Sequence, residues 1–145
     1  MKTIFKMPLI LDGAIGTELI NKGVKTPLPL WSAIANEQNY DEVVKIHKSY
    51  IENGCNIITT NTFRTTERTY KKAGYKNPFL DSNNSSDLAI KAANEARKNH
   101  DILIAYSIAP LEDCYEPDNF PGQSVAFKEY DYTVSYTHLT LPTKA

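Results

Sequence analysis

Three short apolar runs recur along the chain, with longer amphipathic stretches between them. Met7-Pro8-Leu9-Ile10-Leu11-Asp12 stops at a carboxylate. Cys55-Asn56-Ile57-Ile58-Thr59-Thr60-Asn61 is rich in β-branched residues and is bounded by Gly54. Ile102-Leu103-Ile104-Ala105-Tyr106 lies within 101–107 and breaks at Ala109-Pro110. Short apolar runs bounded by turn residues read as buried strands. The intervening pattern is helical. Val43, Val44, His47, Tyr50 and Ile51 share one face of a helix that runs from an Asn39/Glu42 capping pair to about Asn53, with Gly54 as its stop. His47 is on that apolar face and is expected to pack in the core rather than act as a base. Shorter helices are predicted over 17–22, ending at Gly23, and over 64–74, closing at Gly74. Another begins at Ser85 or Ser86 and carries Leu88, Ala89, Ala92, Ala93 and Ala96 as one stripe. The segments 24–30 (Pro27, Pro29) and 75–84 (Pro78) read as loops, and Trp31 as a packing anchor.

Strands that alternate with helices predict βαβ units and a parallel sheet. Right-handed crossovers would turn every strand's C-terminal end to one face. Asp12, Asn61 with Thr62, and Ser107 then meet on the face where parallel α/β folds place their chemistry. Each also has a bland explanation. Asp12 serves equally as a turn aspartate that caps the next helix, and strand ends are polar because loops are polar.

The far end differs. The segment 117–122 is loop-like, and 124–130 could start a helix. From Val134 there is neither a helical stripe nor a turn back to the sheet. That stretch resembles a conceptual translation of the mosaic end and adapter used in transposase-based sequencing libraries. Residues 134–145 are therefore set apart as a non-native tail behind a partial domain over 1–133, and His138 is given no role. A genuine extended arm is the alternative.

Charge and cysteine content narrow the possibilities. A formal net charge of −1 gives no field to draw nucleic acid or an anionic membrane. Cys55 and Cys114 lack CxxC spacing, so they make neither a disulfide framework nor a complete zinc site. The apolar run at the N-terminus is short and broken by Pro8, unlike a signal or a membrane span. A soluble cytoplasmic protein is expected.

Three motifs carry a family resemblance. Asp12-Gly13-Ala14-Ile15-Gly16-Thr17-Glu18-Leu19 resembles the opening motif of the homocysteine S-methyltransferase family. Gly54-Cys55-Asn56-Ile57-Ile58-Thr59-Thr60-Asn61-Thr62-Phe63 resembles its second-strand signature. Ser107-Ile108-Ala109-Pro110-Leu111-Glu112-Asp113-Cys114-Tyr115-Glu116-Pro117-Asp118 is similar to the third-strand loop of its S-methylmethionine-using branch. The resemblance implies about three βα units from the N-terminal portion of a (β/α)8 TIM barrel. It implies small-molecule partners: homocysteine, and a sulfonium donor such as S-methylmethionine or S-adenosylmethionine. Zinc is the implied cofactor. A thiol with a pKa of about 8.5 is mostly protonated at neutral pH. Coordination would make it a thiolate that attacks the donor's methyl group.

By resemblance Asp12 binds the homocysteine ammonium and Gly13 leaves room for the ligand. Thr60, Asn61, Thr62 and Phe63 line the pocket from the second strand. Ser107 and the loop through Glu112, Asp113 and Tyr115 line it from the third. The family's zinc is held by three cysteine thiolates from later strands, and this chain contains none of them. Cys55 opens a strand away from the site and reads as a small buried residue. Cys114 lies on the site side, one thiol where three are needed. The 145-residue polypeptide is thus expected to be inactive and poorly folded alone, its third strand an open edge. Two alternatives stay open. One is a different barrel enzyme, an aldolase or a phosphate binder, with Gly13-x-x-Gly16-Thr17 cradling an anion, although no Lys follows either glycine as in a P-loop. The other is a noncatalytic binding remnant.

Overall fold

The computed structural model describes residues 8–112 and 114–140. Met7, at the start of the first predicted strand, Asp113 of the third-strand loop, and the end of the tail, 141–145, lie outside the described residues. The chain forms two compact units, Met1–Ala109 and Pro110–Ala145.

The first unit holds α1 (Ile15–Asn21), a 3-10 turn over Trp31–Ile34, α2 (Ala35–Gln38), α3 (Tyr40–Glu52), β1 (Ile57–Thr59), α4 (Glu67–Lys72), α5 (Pro78–Arg97) and β2 (Leu103–Ala105). β1 and β2 pair in parallel, with Ile57 opposite Leu103 and Thr59 opposite Ala105. The first predicted strand survives as a short ladder on the other side of β1. Leu11 bridges Ile57 in parallel. The Asp12 N–H donates to the Ile57 carbonyl at 3.0 Å, and the Ile57 N–H donates to the Ile10 carbonyl at 3.1 Å. Parallel pairing in chain order is what alternating strands and helices predict.

One sheet face packs under the helices. Ile58 is fully buried among Ile15, Leu19, Val43, Ile46, Ile51, Ala92 and Ala96. The alanine stripe of α5 lets α3 approach closely, since small side chains bring helix axes together. The opposite sheet face is open. Leu11 and Leu103, which flank Ile57 in register, are 57% and 49% exposed.

Several elements differ from the pattern-based expectation. α5 begins at Pro78, seven residues before Ser85, because proline suits a helix's first turn, where its fixed φ fits and its missing N–H is not needed. Ser82, Ser85 and Ser86 are buried along this helix rather than capping it. Asn39 makes no side-chain cap. Its carbonyl accepts from Glu42 and Val43 instead, and the Glu42 carboxylate pairs with Lys45. Thr66, by contrast, caps α4 by accepting from the Thr69 N–H at 3.3 Å. His47 is fully buried, as its place on the apolar face implies.

In the second unit a 3-10 turn spans Pro117–Asn119 and α6 runs Gln123–Thr140. The helix that 124–130 suggested continues past Val134. No glycine or proline stands between Gly122 and Pro142 to stop a helix, and weak propensity alone does not end one. Among the described residues no helix is long and apolar enough to cross a membrane.

Candidate functional site

The C-terminal ends of the three parallel segments lie at one end of the sheet, and Asp12 ends the outer segment beside β1. Both carboxylate oxygens are held by one residue of β1. Oδ1 accepts from the Thr59 hydroxyl at 2.8 Å, and Oδ2 accepts from the Thr59 N–H at 2.8 Å. Register explains this. With Leu11 bridged to Ile57, the next residue along the first ladder lies beside the end of β1. Asp12 does not cap α1, whose N-cap is Ala14 without a side-chain bond. Partial burial pushes the Asp12 carboxyl above the usual carboxylate range, and the two Thr59 bonds oppose that rise. The group is thus an acceptor fixed in orientation and incompletely solvated.

The glycines around it serve neighbouring rings. A Cβ on Gly13 would lie 2.8 Å from the Tyr50 hydroxyl oxygen, so the direction a side chain would take belongs to Tyr50. A Cβ on Gly16 would lie 2.8 Å from Cζ2 of Trp31, which makes Trp31 the packing anchor expected of it. α1 spans only seven residues and carries Glu18 in its first turn, an arrangement that does not favour an anion cradle.

Thr60, Asn61 and Thr62 are at the predicted place, but each is buried. Their polar atoms stitch the scaffold. The Thr60 N–H donates to the Ala105 carbonyl at 2.9 Å, extending the β1–β2 ladder. Thr60 and Thr62 share a hydroxyl hydrogen bond at 2.8 Å. Thr62 donates to the Ser107 carbonyl at 2.8 Å and accepts from the Ser107 N–H at 3.2 Å. Asn61 turns its amide inward, donating to the Ser32 carbonyl and to Asn36 Oδ1, each at 2.8 Å. Asn36 answers by donating to the Asn61 carbonyl and to Ser85 Oγ, each at 3.0 Å. Phe63 is half-buried, with the Arg64 guanidinium carbon 5.7 Å from its ring centroid. Ser107 is half-buried and Gly13 is exposed. Glu112 and Tyr115 belong to the second unit, where Glu112 is half-buried and Tyr115 is exposed.

The structure thus brings Asp12, Gly13, Thr60, Asn61, Thr62 and Ser107 to one end of the sheet. Sequence reasoning missed Thr59 and Asn36. Thr59 reads simply as a β-branched strand residue, and only the register of Leu11 against Ile57 shows it facing a carboxylate. Asn36 lies in a four-residue helix too short to leave a pattern.

Among the described residues no group of three or more His, Cys, Asp or Glu side chains is placed to hold a metal ion. The Cys55 thiol is buried against the Leu11 carbonyl at 3.7 Å, and burial pushes its pKa up, away from thiolate character. Cys114 is exposed in the second unit. The residues described do not fit a zinc centre.

The described residues define a parallel α/β protein with a partly desolvated carboxylate at one strand end. The homocysteine S-methyltransferase family model matches residues 9–140, and the chain belongs to that family. Homocysteine S-methyltransferase 3 of Zea mays is 33% identical over 90 residues, 62% of this chain and 26% of that protein. Homocysteine S-methyltransferase of Escherichia coli (strain K12) is 31% identical over 97 residues, 67% of this chain and 30% of that protein. The chain thus spans 26 to 30% of the length of these two curated relatives. The crystal structure of the homocysteine methyltransferase MmuM from Escherichia coli, metallated form, superposes with a TM-score of 0.76 at 23% identity, covering 90% of this chain and 50% of that one. The shared feature is the α/β fold.

Proposed function

We propose that this chain supplies the amino-acid-binding strand ends of a cytoplasmic methyltransferase built on a (β/α)8 barrel, of which it forms the first three βα units. The reaction moves a methyl group from a sulfonium donor, S-methylmethionine or S-adenosylmethionine, to the thiol of homocysteine. The homocysteine sulfur attacks the methyl carbon in line. The bond from that carbon to the donor sulfur breaks with its electron pair, the thiol proton is lost, and methionine forms. Holding two reactants in line is chiefly a matter of positioning.

One observation carries the reading: Asp12, fixed by Thr59 at both oxygens, in a chain whose family acts on an amino acid. A carboxylate so held accepts charge-assisted hydrogen bonds from an ammonium group. Gly13, Phe63 and Ser107 line the pocket in this reading. Thr60, Asn61 and Thr62 form its backing wall, since their polar atoms are spent within the scaffold. The family resemblance implies zinc as activator of the thiol. The described residues offer it no site, so no step is assigned to it here, and the 145-residue polypeptide by itself is inactive in this reading.

The test is Asp12→Asn in the protein expressed from its whole reading frame, with methionine formation assayed against homocysteine concentration. Losing a hydrogen-bonded charge pair of about 2–3 kcal/mol raises the homocysteine KM roughly 30- to 150-fold. An unchanged KM refutes the assignment.

A further inference from the structure

Thr59 does more for Asp12 than the fold requires. A β-branched residue suits the end of β1, and valine or isoleucine would meet that need equally. The N–H that reaches Oδ2 would come from any residue except proline. The hydroxyl is different. Its bond to Oδ1, at the same 2.8 Å as the amide bond to Oδ2, has no part in the β1–β2 ladder. Two donors from one residue, one on each oxygen, fix the carboxylate plane against rotation. An ionised carboxylate offers about four lone-pair positions, so roughly two remain for a ligand. Burial disfavours the charged form of Asp12, and both Thr59 bonds favour it.

We propose that Thr59 is a positioning residue for amino-acid recognition: its hydroxyl and amide together lock the Asp12 carboxylate so that the remaining lone pairs take the substrate's ammonium group. This rests on the reading of Asp12 as the ammonium partner. The residue acts through Asp12 and needs no contact with the ligand. Its removal should therefore weaken only the part of affinity that comes from the amino group.

The experiment compares two ligands, L-homocysteine and 4-sulfanylbutanoic acid, which is the same thiol acid without the amine. Whatever the sulfur contributes cancels in the ratio of their dissociation constants. The ratio is measured by calorimetry on the protein expressed from its whole reading frame, as wild type, Thr59→Val, Thr59→Ala and Thr59→Ser. Wild type favours homocysteine. Thr59→Val cuts that preference roughly tenfold, the scale of one hydrogen bond to a charged group, while binding of the amine-free acid stays level. Thr59→Ala removes the same hydroxyl without a branched side chain, and reads the same quantity should the valine variant misfold. Thr59→Ser restores the preference. An unchanged ratio in the valine or alanine variant overturns the proposal. So does an equal loss for both ligands, which would mark a role confined to packing. A wild-type protein that binds both ligands alike would instead refute the ammonium reading of Asp12 itself.

Discussion

Truncating Asn36 tests whether the strand-end wall depends on one buried amide. Asn36 is 1% exposed and joins three segments: α2, the residue after Thr60, and α5. In Asn36→Ala the Asn61 carbonyl loses its side-chain donor. The other partners are partly provided for. Asn61 Nδ2 still reaches the Ser32 carbonyl at 2.8 Å, and Ser85 Oγ still reaches the Ala33 carbonyl at 3.4 Å. The loss is therefore one clear orphan rather than three. A buried acceptor without a donor costs about 1–3 kcal/mol, and a small void adds roughly 1 kcal/mol. The sum, about 2–4 kcal/mol, is a large share of the 5–15 kcal/mol that typically separates a folded domain from its unfolded chain. Asn36→Asp should do no better. It keeps the acceptor for Asn61 Nδ2 but sets a buried carboxylate oxygen against the Asn61 carbonyl. The assay is amide hydrogen exchange in the protein expressed from its whole reading frame. The Thr60, Thr62 and Thr65 amides bond to the Ala105, Thr60 and Thr62 carbonyls, so they report directly on this segment. A local loss of about 2 kcal/mol lowers their protection roughly 30-fold. Protection unchanged at all three amides would show that the pair holds nothing in place.

Three further outcomes follow from buried groups. His47 has both ring nitrogens without a partner among the described residues, and burial holds its pKa down at about 4, against 6.5 for an ordinary histidine. The unfolded chain therefore takes up the proton first as pH falls. Stability is complete above the ordinary value and drains away between 6.5 and about 4, by roughly 3 kcal/mol in all. Urea midpoints measured across that window should fall more steeply in wild type than in His47→Leu, and equal slopes would refute the assignment. Gly16→Ala forces a Cβ to 2.8 Å from Trp31 and costs about 1–3 kcal/mol of overpacking. Trp31 is the sole tryptophan, so a change in its emission reads the shift, and unaltered emission with unaltered stability would contradict the contact. Asp12→Asn should leave the ligand-free protein no less stable at neutral pH. The folded carboxyl titrates above its usual range, so its ionisation as pH rises works against folding, and a marked drop in Tm would show the reverse sign.

The sheet was legible because its signal is local. Ile57-Ile58-Thr59 and Leu103-Ile104-Ala105 are short, apolar and bounded by turn residues, and they form the two strands. The helical stripe from Val43 to Ile51 is buried as its spacing implies. What escaped lay where local chemistry gives two answers. The serines and asparagines of 82–86 suit a loop or a cap, yet α5 buries Ser85 and Ser86 because Asn36, Ala33 and Thr65 supply their partners from distant elements, while Ser82 donates to the Phe79 carbonyl within the helix. Asn39 and Glu42 have capping-box spacing, yet Lys45 takes the carboxylate. The position of Asp12 at a strand end was readable, and its partner was not. Thr59 stands forty-seven residues away in the chain and is chosen by register, a property of pairing rather than of either sequence.

That division explains why polar strand ends alone were ambiguous evidence for a site. The same end of the sheet carries two kinds of polar residue. Thr60, Asn61 and Thr62 spend their donors on Asn36, Ser32 and Ser107, and replacing their bonds with a ligand's would mean breaking the wall. Asp12 receives two hydrogen bonds from Thr59, yet burial disfavours its charged form. No cation of the chain pairs with it among the described contacts, and Tyr50 and Cys55, the titratable groups whose fields it shares, are never positively charged. A fold selected only for stability would place an asparagine or a threonine there. A carboxylate whose charge burial disfavours, held in orientation by Thr59 and paired with no cation among the described contacts, is a candidate site for a positively charged group.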